Sequence, residues 1–527
     1  MKSIVAKANK SMSIPLAAAL ISASFFVSAL LGLLRERLLI AQFGIGGTLD
    51  SYYAAFSVPD FLYFLLVSGA LSVSFIPVLN ERLEKGNKDS AWDVSSSLLN
   101  LLGLVTLGAS IFIIIFADPL VSLLFSDFDP ARHEQTVSLM RIFAVNPFAF
   151  GLSSVLASMQ QAIGRFFFNA LAPVIYNLGI IGGIIFLSPS LGIKGVAIGV
   201  AIGSVVQLAV QFIGMIGMGY SYTSTINWKN KGFKQVIKLL IPRSIDQGGD
   251  QLVSVIQRSV AAAFAIGSIT AFQSAYTLIR VPVTLIGVAI STAVFPKLSR
   301  RAATTRSDLF KKDFLQAVHV ILWLSLPAAA IAFIMRGYIV RLLVGDGNAL
   351  ISSILGWFVL SIVFLSVFNV VSRSFYAQQD TMTPLKSSLA AITINIIGAI
   401  FLSRRYGVEG IAMAFSIASG FEVIVLAYVL HRRLNGVFTK AFVYSSVKMI
   451  IATVGMGVVA RLCVRYVLPL KATDVGFFTL TPKFLGIVAI SAVVYVGLSG
   501  VLRIREATPI ARVLGRMIFK RVPITDK

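Results

Sequence analysis

The chain has 527 residues, 57% of them hydrophobic and only 13% charged, with a mean hydropathy of +0.87. A soluble domain carries about 25% charged residues, so a water-soluble fold is excluded. The net charge of +24, in a chain this apolar, points to positive-inside topology and anionic membrane lipids rather than to nucleic acid.

Apolar runs of roughly 20 residues or more recur along the whole length, enough to cross a bilayer as helix. The short polar–apolar alternation of a membrane β-barrel is absent. The expected fold is therefore an all-α polytopic membrane bundle. The first run, 14–34, is too long for the apolar region of a signal peptide and ends in Arg35-Glu36-Arg37 rather than at a small-residue cleavage site. It reads as a retained first helix. About fourteen spans are expected, at 13–34, 49–80, 93–116, 135–162, 167–187, 192–218, 233–265, 268–296, 313–335, 349–377, 382–403, 407–430, 441–468 and 481–502.

Loop charges follow in order. Lys2, Lys7 and Lys10 precede the first span, and Arg82, Lys85 and Lys88 follow the second. Lys229, Lys231, Lys234 and Lys238 follow the sixth, and Lys297, Arg300, Arg301, Arg306, Lys311 and Lys312 the eighth. The tail carries Arg503, Arg505, Arg512, Arg516, Lys520, Arg521 and Lys527. With fourteen spans these groups share one side, which places both termini in the cytoplasm of a bacterial inner membrane. Asp118, Asp127 and Asp129 then lie outside.

Gly192, Gly195, Ala197, Ile202 and Ser204 recur as Gly407, Gly410, Ala412, Ile417 and Ser419, at an offset of 215 residues. Ser72, Pro77 and Leu79 recur as Ser291, Pro296 and Leu298, at an offset of 219. Two parallel six-helix repeats follow, facing each other across a central cavity. The expected domains are an N-terminal lobe over 1–230, a C-terminal lobe over 231–435, two additional helices over 436–505 and a basic cytoplasmic tail over 506–527.

Ionisable groups inside spans are costly and face a cavity or a partner. They gather on the first two spans (Arg35, Glu36, Asp50, Asp60) and on the seventh and eighth (Arg243, Asp246, Asp250, Arg258, Arg280). Asp246 and Asp250 share a helix face, Gln247 and Gln251 follow one step round, and Arg258 lies about two turns on. Two readings stand for this face: a watered surface for a polar substrate, or ion pairs such as Arg243–Asp246 joining the lobes. A bend is expected at Gly248-Gly249. Asp50 reads either as a cavity residue or as a helix-start residue near the dipole. The only cysteine is Cys463 and the only histidines are His133, His319 and His431, so no disulfide, metal site or cofactor is expected.

The run Gly32–Leu79 resembles the MurJ/MviN family of lipid II flippases, within the multidrug/oligosaccharidyl-lipid/polysaccharide exporter superfamily. The matching residues are Gly32, Arg35, Glu36, Phe43, Gly44, Asp50, Pro59, Gly69, Ala70, Ser72, Phe75 and Pro77. Pro282, Gly287, Val288, Ala289, Phe295, Pro296, Leu298 and Ser299 add to it, as do Phe375, Tyr376, Asp380, Thr383 and Pro384. The resemblance implies transfer of a lipid-linked peptidoglycan precursor (lipid II or a similar polyprenyl-pyrophosphate glycan) to the periplasmic leaflet. It implies a cavity from helices 1, 2, 7 and 8 and a polyprenyl groove from helices 13 and 14. The chain departs from the family where arginines are frequent, with Ala29, Tyr63 and Thr277 in their places. Arg280 stands where many members are acidic, and Gln257 where some have a sodium-site aspartate.

The substrate-binding residues expected are Arg35, Arg258, Arg280, Asp50, Asp60, Asp246, Asp250 and Gln251. Arg280, one turn beyond Thr277, either replaces the lost arginine or pairs with Asp246 or Asp250. No catalytic residue is required, because flipping makes and breaks no bond. The alternatives are export of another polyprenyl-linked glycan or a drug, a polytopic glycosyltransferase or ligase, and a scaffold for cell-wall synthesis machinery. The outside loops are too short to carry the acids and bases that a transferase needs.

Overall fold

The computed structural model of the protein describes residues 14–504 and 506, apart from 68–69, 304–306, 346, 472–473 and 475. Lys2, Lys7, Lys10, Gly69, Arg306, Arg505 and the tail from 507 onward lie outside the described residues, as do the side chains of Ala70, Ser72, Arg243 and Asp246. No strand occurs among the described residues.

Helix α1 covers Ile14–Phe43, and α2 is built from three pieces, Gly47–Ala55, Ser57–Leu66 and Ala70–Glu84. Next come α3 (Lys88–Leu124), α4 (Pro130–Ala162), α5 (Phe167–Leu191), α6 (Ile193–Met215) and α7 (Lys231–Ala262). The second half of the chain forms α8 (Ser268–Ala302), α9 (Ser307–Ile334), α10 (Ala349–Ala377), α11 (Met382–Tyr406), α12 (Val408–Arg433), α13 (Lys440–Val467) and α14 (Phe477–Val501). Eleven of these are long and apolar enough to cross a membrane. The other three, α1, α2 and α7, carry Arg35, Asp60 and Arg258. Large apolar side chains point outward along the crossing helices, with Phe186 78% and Phe478 90% exposed. That pattern suits a hydrocarbon solvent and not water.

Side-chain caps start the helices where the sequence turns polar. Asn87 accepts from the Ser90 N–H, Asp129 from Arg132, Asn348 from Ile351 and Thr439 from Phe442. Each satisfies a backbone donor that the first turn leaves open.

The chain forms two compact units, 1–273 and 274–527. In the first, α7 packs on α2, and Phe233 and Val236 join Phe75, Trp92 and Leu98 in one core. Helix α7 runs unbroken through Gly248-Gly249; the expected bend does not interrupt it. Gly248 permits close approach, since a Cβ there would lie 2.7 Å from the Leu65 Cδ1. Helices α5 and α6 meet backbone to backbone: a Cβ at Gly199 would fall 2.5 Å from the Gly183 Cα. Such small-residue contacts replace the hydrophobic drive that lipid does not supply.

In the second unit, Leu298, Phe314, Ile321, Phe375 and Leu426 form the main core. The two C-terminal helices attach through α9. The Trp323 indole N–H donates to the Ser499 Oγ (3.1 Å), and the Tyr495 hydroxyl donates to the Trp323 carbonyl (2.9 Å).

The 215-residue periodicity is a periodicity of geometry. Gly192 has φ/ψ of 57°/−142° and Gly407 has 62°/−146°. Their N–H groups bond the carbonyls of Ser188 and Ser403, both at 2.8 Å. A Cβ at Gly195 or Gly410 would lie 2.5 or 2.4 Å from the Leu187 or Leu402 carbonyl group. The α4–α5 and α10–α11 turns also correspond. Arg165 N–H bonds the Gln160 carbonyl, and Asp380 N–H bonds the Phe375 carbonyl. From these matching positions Arg165 reaches the Ile216 and Gly217 carbonyls, while Asp380 accepts from Arg433 at 2.6 Å. Burial raises the Asp380 pKa, but the Thr383 and Arg433 hydrogen bonds outweigh it and hold the carboxyl down at about 2.

Candidate functional site

Helix α1 is apolar as far as Leu34 and then brings Arg35 and Glu36 into the first unit. Glu36 is fully buried and accepts a hydrogen bond from the Tyr53 hydroxyl at 2.8 Å. The Arg35 Nη1 donates to Asn177 Oδ1 at 3.3 Å, and Asn177 Nδ2 donates to Ser28 Oγ and to the Pro173 carbonyl. A polar layer therefore joins α1, α2 and α5.

Asp60, on the middle piece of α2, interacts electrostatically with Arg258 of α7 and with Arg35 of α1. Arg258 also donates to Ser57 Oγ at 3.4 Å. Three of the expected residues, Arg35, Asp60 and Arg258, thus converge in one unit. With Glu36 next to Arg35, the group holds two cations and two anions. Glu36 is buried, while Arg35, Asp60 and Arg258 are half-buried.

The remaining expected residues are placed otherwise. Asp50 is buried, and its oxygens accept from the N–H groups of Gly267 (2.6 Å) and Thr270 (2.8 Å) and from the Thr270 hydroxyl (2.7 Å). It starts the 47–55 helix, as the helix-start reading expects, but its carboxylate serves the beginning of α8. Asp250 is exposed and Gln251 half-buried on α7, about two turns before Arg258. Gln257 is buried. Arg280 belongs to the second unit, is exposed, and holds its guanidinium over the Tyr276 ring at 5.8 Å. Tyr276 in turn packs on Phe358 and Phe415. Tyr63, in a place where the family often has arginine, is pinned by a 2.9 Å hydrogen bond to Ser154.

Ranking residues by charge overlooked Tyr52, Tyr53, Tyr176 and Asn177, the neutral polar groups around Arg35. The available signal was a Tyr52-Tyr53 pair and a lone Asn177, each inside an apolar span, where an unpaired polar group is expensive. No group of three or more His, Cys, Asp or Glu that could hold a metal ion occurs among the described residues.

Residues 39–481 match the family described as Lipid II flippase MurJ. Similar curated proteins include the probable lipid II flippase MurJ of Thermotoga maritima, 28% identical over 92% of this chain and 96% of that protein. That of Bdellovibrio bacteriovorus is 27% identical over 94% and 95%, and that of Rhizobium tropici 26% identical over 82% and 83%. Among solved structures, lipid II flippase MurJ in an inward closed conformation aligns with a TM-score of 0.77 and 25% identity, covering 94% of this chain and 99% of that one. An inward-facing multidrug resistance MATE family transporter of the MOP superfamily shares the fold, with a TM-score of 0.65 at 16% identity over 81% and 96%.

Asp50→Ala strands donors that the carboxylate now satisfies, at a cost of about 1–3 kcal/mol for each buried group. Its thermal unfolding midpoint in detergent is expected to fall well below that of the wild type. An unchanged midpoint together with lost transport would instead make Asp50 a substrate contact.

Proposed function

The chain belongs to the lipid II flippase MurJ family, and on that premise we propose that it moves lipid II from the cytoplasmic to the periplasmic leaflet by alternating access. The observation that carries the reading into this chain's own residues is the convergence of Arg35, Asp60 and Arg258. A pyrophosphate bears at least two negative charges and is not tolerated unpaired away from water. Arginine meets it with a planar bidentate fork. In this reading the pyrophosphate outcompetes the longer-range attraction of Asp60 for the two guanidinium groups. Arg280 is a further cation, in the second unit, in place of the arginine absent at Thr277. Asp250 and Gln251 offer polar contacts to the glycan or its water. Asp50 holds the fold rather than the substrate.

The protein catalyses no covalent step; it changes only the side of the membrane on which a headgroup lies. Lobes over 1–230 and 231–435, followed by two helices within 436–505, cross the inner membrane fourteen times in all, with both termini and the basic tail in the cytoplasm. The basic loops meet anionic lipids there, and a place beside the cell-wall synthesis machinery follows from the substrate.

Topology and site are checked separately. A cysteine introduced at Asp127 is expected to react with an impermeant reagent from outside, and one at Lys231 only from inside; labelling of both from one side would sink the orientation. In a flippase-depleted bacterium, Arg280→Ala is expected to abolish complementation at normal membrane levels, and adding Thr277→Arg to restore part of it. Should the alanine variant instead lose expression or thermal stability, Arg280 is a structural residue stacked on Tyr276. Normal growth of the Arg258→Ala, Arg280→Ala double variant would rule out the site.

A further inference from the structure

Where α8 ends and α9 begins, the α10–α11 turn and the end of α12 enclose a cavity of about 680 Å³. It lies wholly within the second unit, and none of its lining residues belongs to the Arg35–Asp60–Arg258 cluster. The volume is in the range of small-molecule sites, about 300–1,000 Å³. Ser299 and Arg301 come from α8, Phe310 from α9, and Tyr376, Gln378 and Gln379 from the turn. With Ser307, the wall thus offers a guanidinium, two amides, three hydroxyls and two aromatic rings, and no carboxylate among the lining residues.

Two carboxylates flanking the wall, Asp313 and Asp380, are already bonded to cations. Asp313 takes Lys297 at 2.7 Å and Arg301 at 3.5 Å, and Asp380 takes Arg433 at 2.6 Å. Arg300, Lys311 and Lys312 flank the lining residues in sequence against the single Asp308. The surroundings favour an anion.

The backbone supplies an independent pointer. Gln379 sits at φ 59°, a left-handed conformation that glycine adopts without cost and a side chain does not. At the matching turn of the first unit this position is Gly164, with φ 78°. The second turn therefore keeps a strained glutamine where its counterpart has a glycine, and that glutamine lines the cavity. Strain of this kind collects at ligand sites.

We propose that this cavity binds a phosphate-bearing, hydroxyl-rich ligand, with the phosphate on Arg301 and the Gln378 and Gln379 amides on its polar groups. Two sources share that chemistry: the glycerophosphate headgroup of an anionic lipid, and a soluble phosphorylated small molecule. Placing the cavity on the cytoplasmic side rests on the topology proposed above; the binding itself does not.

The test uses the full chain in phosphatidylcholine nanodiscs, read by thermal unfolding. One arm titrates sn-glycerol 3-phosphate against sodium chloride of equal ionic strength. The other replaces a fraction of the lipid with phosphatidylglycerol. A saturable rise in midpoint is expected in at least one arm; a response to glycerol phosphate assigns a soluble ligand, and a response to phosphatidylglycerol alone assigns the headgroup. Arg301→Gln should weaken the response about tenfold, the loss of one charge-assisted hydrogen bond. Ala302→Phe, which fills the space and leaves Asp313 in place, should remove it. Gln379→Gly should raise the ligand-free midpoint by relieving the turn and yet weaken the response, a pairing that a failure to fold does not produce. No rise in either arm, or a wild-type response in both Ala302→Phe and Gln379→Gly, would overturn the proposal.

Discussion

A guanidinium on a membrane-spanning helix has to meet an opposite charge, a carbonyl or water, and the first unit is arranged around that constraint. Arg35 arrives on α1 and Arg258 on α7, and Asp60 of α2 interacts with both. Glu36, beside Arg35, is held by Tyr53, and Asn177 of α5 receives Arg35 itself. The partners come from α1, α2 and α5, so these polar contacts tie α1, α2, α5 and α7 together. In the proposed function, a half-buried carboxylate near two cations gives way to an anion of higher charge.

The rest of the scaffold serves close and specific helix contact. Lipid gives apolar side chains little reason to associate, so the backbones approach through glycine, as at Gly183 and Gly199 of α5–α6. The same device recurs 215 residues on, where Gly410 rests against Leu402 as Gly195 rests against Leu187. The turns beside these helices follow the same plan with different chemistry: Arg165 clips carbonyls in one, and Asp380 clips Arg433 in the other. The two units thus keep one set of helix-end geometries while the side chains at those turns differ.

Much of this was legible in the sequence because lipid leaves so few options. Apolar run length alone marked the helices, and the Gly192/Gly407 correspondence exposed the repeat, since both residues occupy a conformation that side chains avoid. Arg35, Asp60 and Arg258 were legible as charges where charge is expensive. Asp50 was legible as important but not in its role, because capping α8 depends on a contact about 220 residues away that no local pattern announces. The tyrosines and Asn177 around Arg35 were missed for a related reason: a neutral polar residue in a span looks tolerable until its partner is known. Gly248 was legible as a glycine inside a helix, but its close approach to Leu65 was not, because that contact is about 180 residues away in sequence.

The central claim is that Arg35 and Arg258 of the first unit are the means by which a polyprenyl pyrophosphate crosses the membrane. It is tested most directly with purified protein in liposomes that carry fluorescent lipid II, following the loss of headgroup protection from a membrane-impermeant quencher. The account predicts transfer well above protein-free liposomes by the wild-type chain. It also predicts a fall to the protein-free rate in the Arg35→Ala, Arg258→Ala double variant, while a folded control with both arginines intact keeps the wild-type rate. Transfer by the double variant at the wild-type rate, or none by the wild type, would contradict it.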